Sequence, residues 1–172
     1  MSVGFSFLMC TFNGERFLEQ ALDSVLRTQH QNFEIVVLDD GSTDSTPAIL
    51  EKFHGNKKIR LFRQLNRGLG QARNTALQEC RHDWIVTLDQ DDLTYPNRLA
   101  KYQELIQGNP GARFVFSQTD IIDEKEEILE KDVAVWKKAN RTIEGQKAFA
   151  QLLLKGCFPG SAYGVHKEGL AK

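Results

Sequence analysis

The sequence has few of the residues that hold small secreted proteins and zinc modules together. Its 172 residues include three cysteines, Cys10, Cys80 and Cys157, and no CxxC pair. An odd number of widely spaced cysteines argues against a disulfide framework and against a structural zinc site. We therefore expect reduced thiols, as in a cytoplasmic protein.

Long apolar runs and an excess of one charge are also missing. No segment approaches the roughly 20 apolar residues of a membrane-spanning helix, and the first residues lack the basic and apolar parts of a signal peptide. The formal net charge is −1, which gives no overall field for nucleic acid or for an acidic membrane. We predict a cytoplasmic protein without a nucleic-acid partner.

What is present is the composition of a globular domain. The chain is 41% hydrophobic and 26% charged, and its length suffices for one domain but not for two. Apolar runs typical of strands buried on both faces occupy residues 3–9, 33–38, 59–65, 84–88 and 112–117. Segments with helical periodicity occupy residues 15–28, 68–81, 96–107 and 142–155, and Ser45 or Thr46 is expected to cap a further short helix.

This alternation predicts an α/β fold. Strands separated by helices of about 10–15 residues imply right-handed crossovers and a mostly parallel central sheet with helices on both faces. No repeat or linker interrupts the pattern, so we treat residues 1–172 as one domain. The highly charged residues 120–139 are predicted to form an exposed loop or hairpin, and residues 157–172 the start of another strand.

Polar residues follow four of the predicted strands at the point where each strand ends. They are the segments 10–13, 39–40, 66–68 and 89–92. Ligands of open α/β sheets bind outside the carboxyl ends of the strands, and parallel strands bring these ends to one edge. The sequence therefore predicts one binding site along that edge.

The acidic residues at two of these ends would repel each other without a positive charge. Magnesium and manganese ions commonly take one or two carboxylates together with substrate phosphates. Asp89 and Asp91 are two positions apart after a buried strand, so both reach one small volume if the chain stays extended. We predict them as metal ligands; the alternative is that they are loop acids in water.

Two further features suit a nucleotide. A carboxylate of Asp39 or Asp40 can accept hydrogen bonds from a base N–H or a ribose hydroxyl, although D-D-G-S-T-D can also form only a turn and a helix cap. Arg73 lies in the first turns of a helix entered by glycines, where a guanidinium and the backbone donors suit a diphosphate. The alternative for Arg73 is a solvated helix arginine.

Together these segments resemble glycosyltransferase family 2. The family pattern T-Y-N is matched by residues 11–13, V-D-D-G-S-T-D by residues 38–44, and N-x-G-x-x-x-A-R-N by residues 66–74. The D-x-D-D pattern followed by P-x-R-L is matched by residues 89–92 and 96–99. All of these motifs occur in the family's order between residues 3 and 105.

The resemblance implies a GT-A fold and the transfer of a sugar, with inversion, from a nucleotide-diphosphate sugar to an acceptor hydroxyl. The donor is usually a UDP-sugar, and the implied donor-binding residues are Cys10, Thr11, Phe12, Asn13, Asp39, Asp40, Arg73, Asp89 and Gln90. Asp91 and Asp89 would hold Mn²⁺ or Mg²⁺, which stabilises the leaving diphosphate. Cys10 is expected to be a neutral lining group, because no histidine pairs with it.

The resemblance also implies a cellular setting. The acceptor would be a saccharide or a glycolipid in cell-wall or polysaccharide biosynthesis, with the full-length protein associated peripherally with the inner face of the membrane. An open sheet edge would favour self-association, so a homodimer is a further expectation.

The catalytic base stays unassigned. In the family this carboxylate, often in an E-D pair, lies downstream of a segment such as the one at residues 158–161, and only Glu168 follows here. We therefore interpret the chain as a C-terminally truncated catalytic domain whose base lies beyond Lys172. Its nucleotide-binding half would be about residues 1–110 and its partial acceptor-side segment about residues 111–172. Asp120 and Asp123 are local substitutes for the base, and His166 could approach the metal.

Three other functions are compatible with parts of the pattern. A non-catalytic nucleotide-sugar-binding or assembly domain would keep the same fold. A nucleotidyltransferase would carry a glycine-rich basic loop after the first strand, where this chain has one glycine, Gly14. A dinucleotide oxidoreductase would use G-x-G-x-x-G, which residues 68–73 imitate, although Arg73 replaces the third glycine and the motif follows the third strand.

Overall fold

The structure of the chain, a computed structural model, describes residues 2–133 and 163–170. Strands and helices alternate as the sequence predicts. In chain order they are β1 (Phe5–Thr11), α1 (Leu18–Leu26), β2 (Phe33–Asp39), α2 (Thr46–Glu51), β3 (Ile59–Arg63), α3 (Leu69–Glu79), β4 (Trp84–Thr87), α4 (Arg98–Gly108), β5 (Phe114–Phe116), β6 (Thr119–Ile122), β7 (Ile128–Val133) and β8 (Tyr163–His166). A 3₁₀ helix of Lys167–Gly169 follows β8.

Six of the strands form one sheet in the order β3-β2-β1-β4-β8-β5. The first four pair in parallel, whereas β8 runs antiparallel to both of its neighbours. Strands β6 and β7 form a separate antiparallel hairpin, one of the two forms predicted for the charged segment. The predicted α/β fold with a mostly parallel central sheet is confirmed.

Each face of the sheet is covered by helices. On one face, Phe7 and Met9 of β1 pack into a cluster with apolar residues of α1, α2 and α4. On the other face, Leu8 packs with Ala72 and Ala76 of α3, whose small side chains let the helix lie close to the strands. The central strands therefore bury both faces, which explains their nearly continuous apolar sequences.

Several boundaries differ from the predictions. Strand β1 continues to Thr11, because its parallel register with β2 extends to the pair Thr11 and Asp39. Helix α2 is not capped by the side chain of Ser45 or Thr46; instead the Thr46 N–H donates to Asp44 Oδ1 at 2.9 Å. The helix predicted at 142–155 lies outside the described residues.

The helices are short. Among the described residues, the longest helices are α3 and α4 with 11 residues each, and none has the length and apolar character to cross a bilayer. Strands β5 and β8 come from the part of the chain beyond residue 110, yet they join the same sheet as β1 to β4.

Candidate functional site

The carboxyl ends of the parallel strands meet at one edge of the sheet, as predicted. The Asp40 N–H donates to Thr11 O at 2.9 Å, and the Leu88 N–H donates to Leu8 O at 3.2 Å, so the chains leaving the strands stay side by side. A cleft of about 280 Å³ opens there. It is lined by Cys10, Thr11, Phe12, Asp40, Asn66, Gly68, Leu69, Ala72, Asp89 and Gln90.

Asp40 lies in the cleft wall and is almost fully buried. Its Oδ1 accepts hydrogen bonds from Gln64 Nε2 at 2.7 Å and from the Arg67 N–H at 3.0 Å. Its Oδ2 accepts one from the Gly68 N–H at 2.9 Å. The carboxylate thus anchors the loop before α3, and the described contacts leave one acceptor position on Oδ2.

Asp39 is 1% exposed and is not among the residues that line the cleft. Its Oδ1 accepts from the Ser42 N–H at 2.8 Å, and its Oδ2 lies 3.2 Å from Arg63 Nε. Gly41 follows at φ 80°, where a Cβ would lie 2.7 Å from Asn66 N. The close approach of Gly41 to Asn66 places the loop after β2 directly against the loop before α3, and Asn66 lines the cleft.

The loop after β1 contributes the aromatic ring of Phe12 to the cleft and, through Asn13, hydrogen bonds to the loop after β2. Phe12 lines the cleft and is 45% exposed, so one ring face is available to a ligand. Asn13, at φ 50°, faces the neighbouring loop: its N–H donates to Ser42 Oγ at 3.0 Å and its Oδ1 accepts from the Thr43 N–H at 2.9 Å. Asn13 therefore joins two loops and does not line the cleft.

Cys10 is a partly buried thiol in the cleft wall. Burial raises the pKa of its thiol to about 12, with Asp40 and Asp89 adding to the rise and Arg73 opposing it. The thiol is therefore neutral near pH 7, which agrees with the expectation of a neutral lining group.

Arg73 lies in the second turn of α3, which is entered at Gly68 with φ 81°. Its Nη2 donates to Asp89 Oδ1 at 2.8 Å, and both side chains are about one third exposed. The guanidinium therefore compensates the charge of Asp89.

The prediction that Asp89 and Asp91 reach one small volume assumed an extended chain after β4. The acidic segment is not extended there. The Asp92 N–H donates to Asp89 O at 3.2 Å and closes a turn, in which Asp91 is exposed. No three His, Cys, Asp or Glu side chains converge on a metal position within the described residues. Mg²⁺ commonly takes one or two carboxylates together with substrate phosphates, so Asp89 and Asp91 stay predicted ligands.

His166, which could have approached the metal, does not approach this edge. It pairs with Trp84 at the amino end of β4, and its ring packs edge-on against the indole at 5.3 Å. The two proposed substitutes for a base lie on the hairpin: Asp120 Oδ2 accepts from the Tyr95 hydroxyl at 2.6 Å, whereas Asp123 Oδ1 accepts from the Lys125 N–H at 2.8 Å and shapes the turn.

Sequence reasoning missed several residues of the site. Asn66 and Gly68 line the cleft, as predicted for the segment 66–68, whereas Leu69 and Ala72 of the same motif were given no role. Gln64, which donates to Asp40, lies outside every motif, and its sequence position carries no signal.

Comparison with known proteins places this geometry in a family. The family model described as glycosyl transferase family 2 matches residues 6–166. An uncharacterized glycosyltransferase of Rickettsia bellii is 32% identical over 127 residues, which is 73% of this chain and 18% of that protein.

Two solved structures share the fold. S. aureus TarS 1-349 in complex with UDP-GlcNAc has 26% identity and a TM-score of 0.64, over 69% of this chain and 35% of that one. The mannosyltransferase PcManGT from Pyrobaculum calidifontis, in complex with GDP-Man and Mn²⁺, has 20% identity and a TM-score of 0.69, over 97% of this chain and 45% of that one. The latter likeness shows the fold alone.

The chain spans less than half the length of each of these three proteins. The residues that the family model matches nevertheless run from Ser6 in β1 to the end of β8, and they include all the described residues that line the cleft. The GT-A type of fold is confirmed, and the chain belongs to glycosyl transferase family 2.

Proposed function

We propose that the cleft binds the nucleoside diphosphate of a sugar donor, UDP-linked, and that the protein transfers the sugar to a saccharide or glycolipid hydroxyl with inversion. The observation that carries the proposal is one cleft with a buried acceptor, Asp40, in its wall and the carboxylates of the Asp89–Asp92 turn beside it. TarS, a structural relative, binds UDP-GlcNAc.

The environment of Asp40 favours uracil over guanine. Uracil presents a single N–H at N3, whereas guanine presents two adjacent donors that pair best with both oxygens of a carboxylate. Oδ1 of Asp40 already accepts from Gln64 and Arg67, so only Oδ2 has an acceptor position left. Phe12 and Leu69, each about half exposed, offer apolar surface for the base.

The diphosphate would lie toward Asp89 and Asp91. A divalent ion held by these two carboxylates would supply Lewis-acid stabilisation of the negative charge on the departing diphosphate. Arg73, 2.8 Å from Asp89, fixes the direction of that carboxylate and contributes positive charge beside the phosphates.

Inversion also needs a carboxylate base for the proton of the acceptor hydroxyl. No described residue is assigned that role, and we propose that it lies outside residues 2–133 and 163–170. The division into a nucleotide-binding part near 1–110 and an acceptor-side part near 111–172 belongs to the same proposal. We also propose a role in polysaccharide biosynthesis and a position at the cytoplasmic face of a membrane.

Isothermal titration calorimetry tests the donor site. UDP, GDP, dTDP and CDP are titrated in Mn²⁺ and in EDTA against the wild type, Asp40→Asn, Asp91→Ala and an exposed control on α1, Asp23→Ala. We expect UDP to bind with an affinity that Mn²⁺ raises. Asp40→Asn should weaken it at least about tenfold, since a hydrogen bond from the base to a charged acceptor is lost. Asp91→Ala should remove the Mn²⁺ effect.

A non-catalytic assembly domain with this fold is the competing function. A folded wild-type sample that binds none of the four nucleotides, with or without metal, would favour it and contradict the proposal. Preference for GDP would contradict the uracil assignment alone, because the rest of the cleft would still be a donor site.

A further inference from the structure

The side chain of Gln90 is bound to the end of β1. Its Oε1 accepts from the Thr11 hydroxyl at 2.6 Å and from the Phe12 N–H at 3.0 Å. Its Nε2 donates to Phe12 O at 3.4 Å. The amide thus pairs with the backbone of Phe12 much as a neighbouring strand would, just beyond the point where β1 ends.

This pairing holds the acidic turn, because Gln90 lies between Asp89 and Asp91 within it. The Asp92 N–H to Asp89 O hydrogen bond closes the turn on itself, but it does not fix where the turn lies on the sheet. The contacts of Gln90 join the turn to the loop that carries Phe12, in addition to the Leu88 N–H to Leu8 O hydrogen bond and the Arg73–Asp89 ion pair.

Gly14 completes the arrangement. A Cβ at Gly14 would lie 2.5 Å from Gln90 Oε1, 2.8 Å from Gln90 Cδ and 2.7 Å from Thr11 Oγ1. Gly14 has no positive φ, so its backbone conformation alone does not require glycine. The space of the missing side chain is what the Gln90 amide needs.

We propose that Gln90 is a positioning residue for sugar-donor binding. It sets the distance between Phe12 at the base end and the carboxylates of Asp89 and Asp91 at the diphosphate end, and Gly14 leaves the room for it. Gln90 lines the cleft, but its amide is engaged by Thr11 and Phe12, so its role is exerted through the turn and differs from the donor contact that the sequence predicted. The inference rests on the proposed function, because it concerns the geometry of the same cleft.

Metal dependence of nucleotide binding tests the positioning role. The ratio of the UDP dissociation constants in EDTA and in Mn²⁺ is measured for the wild type, Gln90→Ala and Gln78→Ala, an exposed glutamine of α3. We expect Gln90→Ala to lower this ratio about tenfold, while the dissociation constant in EDTA changes less than about twofold. Gln78→Ala should behave as the wild type. Equal losses in EDTA and in Mn²⁺ would mean that Gln90 contacts the nucleotide and would overturn the proposal.

Thermal unfolding without ligand tests the packing step, and it does not depend on the proposed function. Gly14→Ala should lower the melting temperature by several degrees in the wild type and clearly less in Gln90→Ala, where the amide is absent. Gly111→Ala, at an open glycine, is the control and should have little effect in either background. Additive effects of Gly14→Ala and Gln90→Ala would refute the steric coupling. A wild type that binds no nucleotide would instead refute the proposed function.

Discussion

Cys10 is a thiol whose chemistry is set by burial in a cleft wall. With a pKa of about 12, its thiolate fraction at pH 8 is about 10⁻⁴, against roughly one quarter for a free thiol of pKa about 8.5. We therefore predict that Cys10 in the native protein reacts with iodoacetamide about 10³-fold more slowly than in the unfolded chain. Peptide mass spectrometry of timed samples measures both rates. Native labelling within about tenfold of the unfolded rate would contradict the prediction.

Gly41 is constrained both by its positive φ and by the lack of space for a Cβ, and comparison with a second glycine separates the two effects. It has φ 80°, and a Cβ would lie 2.7 Å from the backbone nitrogen of Asn66. Gly55 has the similar φ of 85° but no atom within 4 Å of its Cβ position. We predict that Gly55→Ala costs about 1 kcal/mol of unfolding free energy, and Gly41→Ala about 2–3 kcal/mol or more. Urea unfolding measures both; equal costs would show that the loop moves away freely.

At the scale of elements, Glu34 ties together β1, β2, β3 and the end of α3. Burial raises its pKa, but hydrogen bonds from the Arg81 N–H, the Ser6 hydroxyl and Arg60 outweigh burial, and the net pKa is lowered from 4.5. The folded state therefore favours the carboxylate. The stability that results is present above about pH 4.5 and is lost as the pH falls through the lowered folded pKa.

We predict that Glu34→Gln lowers the unfolding free energy at pH 7 by about 1–3 kcal/mol, because charge-assisted hydrogen bonds to a buried group are lost. The variant should also lose less stability than the wild type between pH 4.5 and the acid limit. Urea unfolding at a series of pH values measures both effects, with Glu104→Gln as an exposed control. Parallel pH curves for the wild type and Glu34→Gln would show that Glu34 does not carry the dependence.

Some of the strands could be predicted from the sequence alone, and others could not. Strands β1, β2 and β4 were predictable because each is an apolar run too continuous for any position but the middle of a sheet. The position of β8 between β4 and β5 was not predictable, because the sequence of a four-residue strand does not indicate which strands it pairs with. At the site, motif order pointed to Asp40 and Asp89, which both line the cleft, whereas the proposed roles of Gln90 and Gly14 depend on a contact between loops that are distant in sequence.

For the whole molecule, β8 is what joins the C-terminal part to the central sheet. Val86 pairs with Gly164, and Gly164 pairs with Val115, so among the described strands β5 joins the sheet through β8. A Cβ at Gly164 would lie 3.2–3.4 Å from Val115, Val86 and Tyr102, which shows how closely the core packs on this strand. Removing β8 would expose the hydrogen-bonding edge of β4.

We predict that a chain of residues 1–133 melts roughly 10 °C lower than the full chain. It should also associate with itself through the edge of β4, because an unpaired central strand is a template for another chain. Differential scanning calorimetry measures the melting temperature, and sedimentation velocity measures self-association. The chain of residues 1–172 is the reference in both, since it is itself expected to form a homodimer. A monomeric 1–133 chain with unchanged melting would show that β8 contributes little.

Among the described residues, all that line the cleft precede position 91, whereas β8, the second partner strand of β4, comes nearly half a chain length later. On the ribosome, at about 5–20 residues per second, several seconds separate the synthesis of these two parts. The cleft can therefore assume its native shape while the outer edge of β4 is still bare. During that interval the unpaired edge of β4 can pair with another nascent chain.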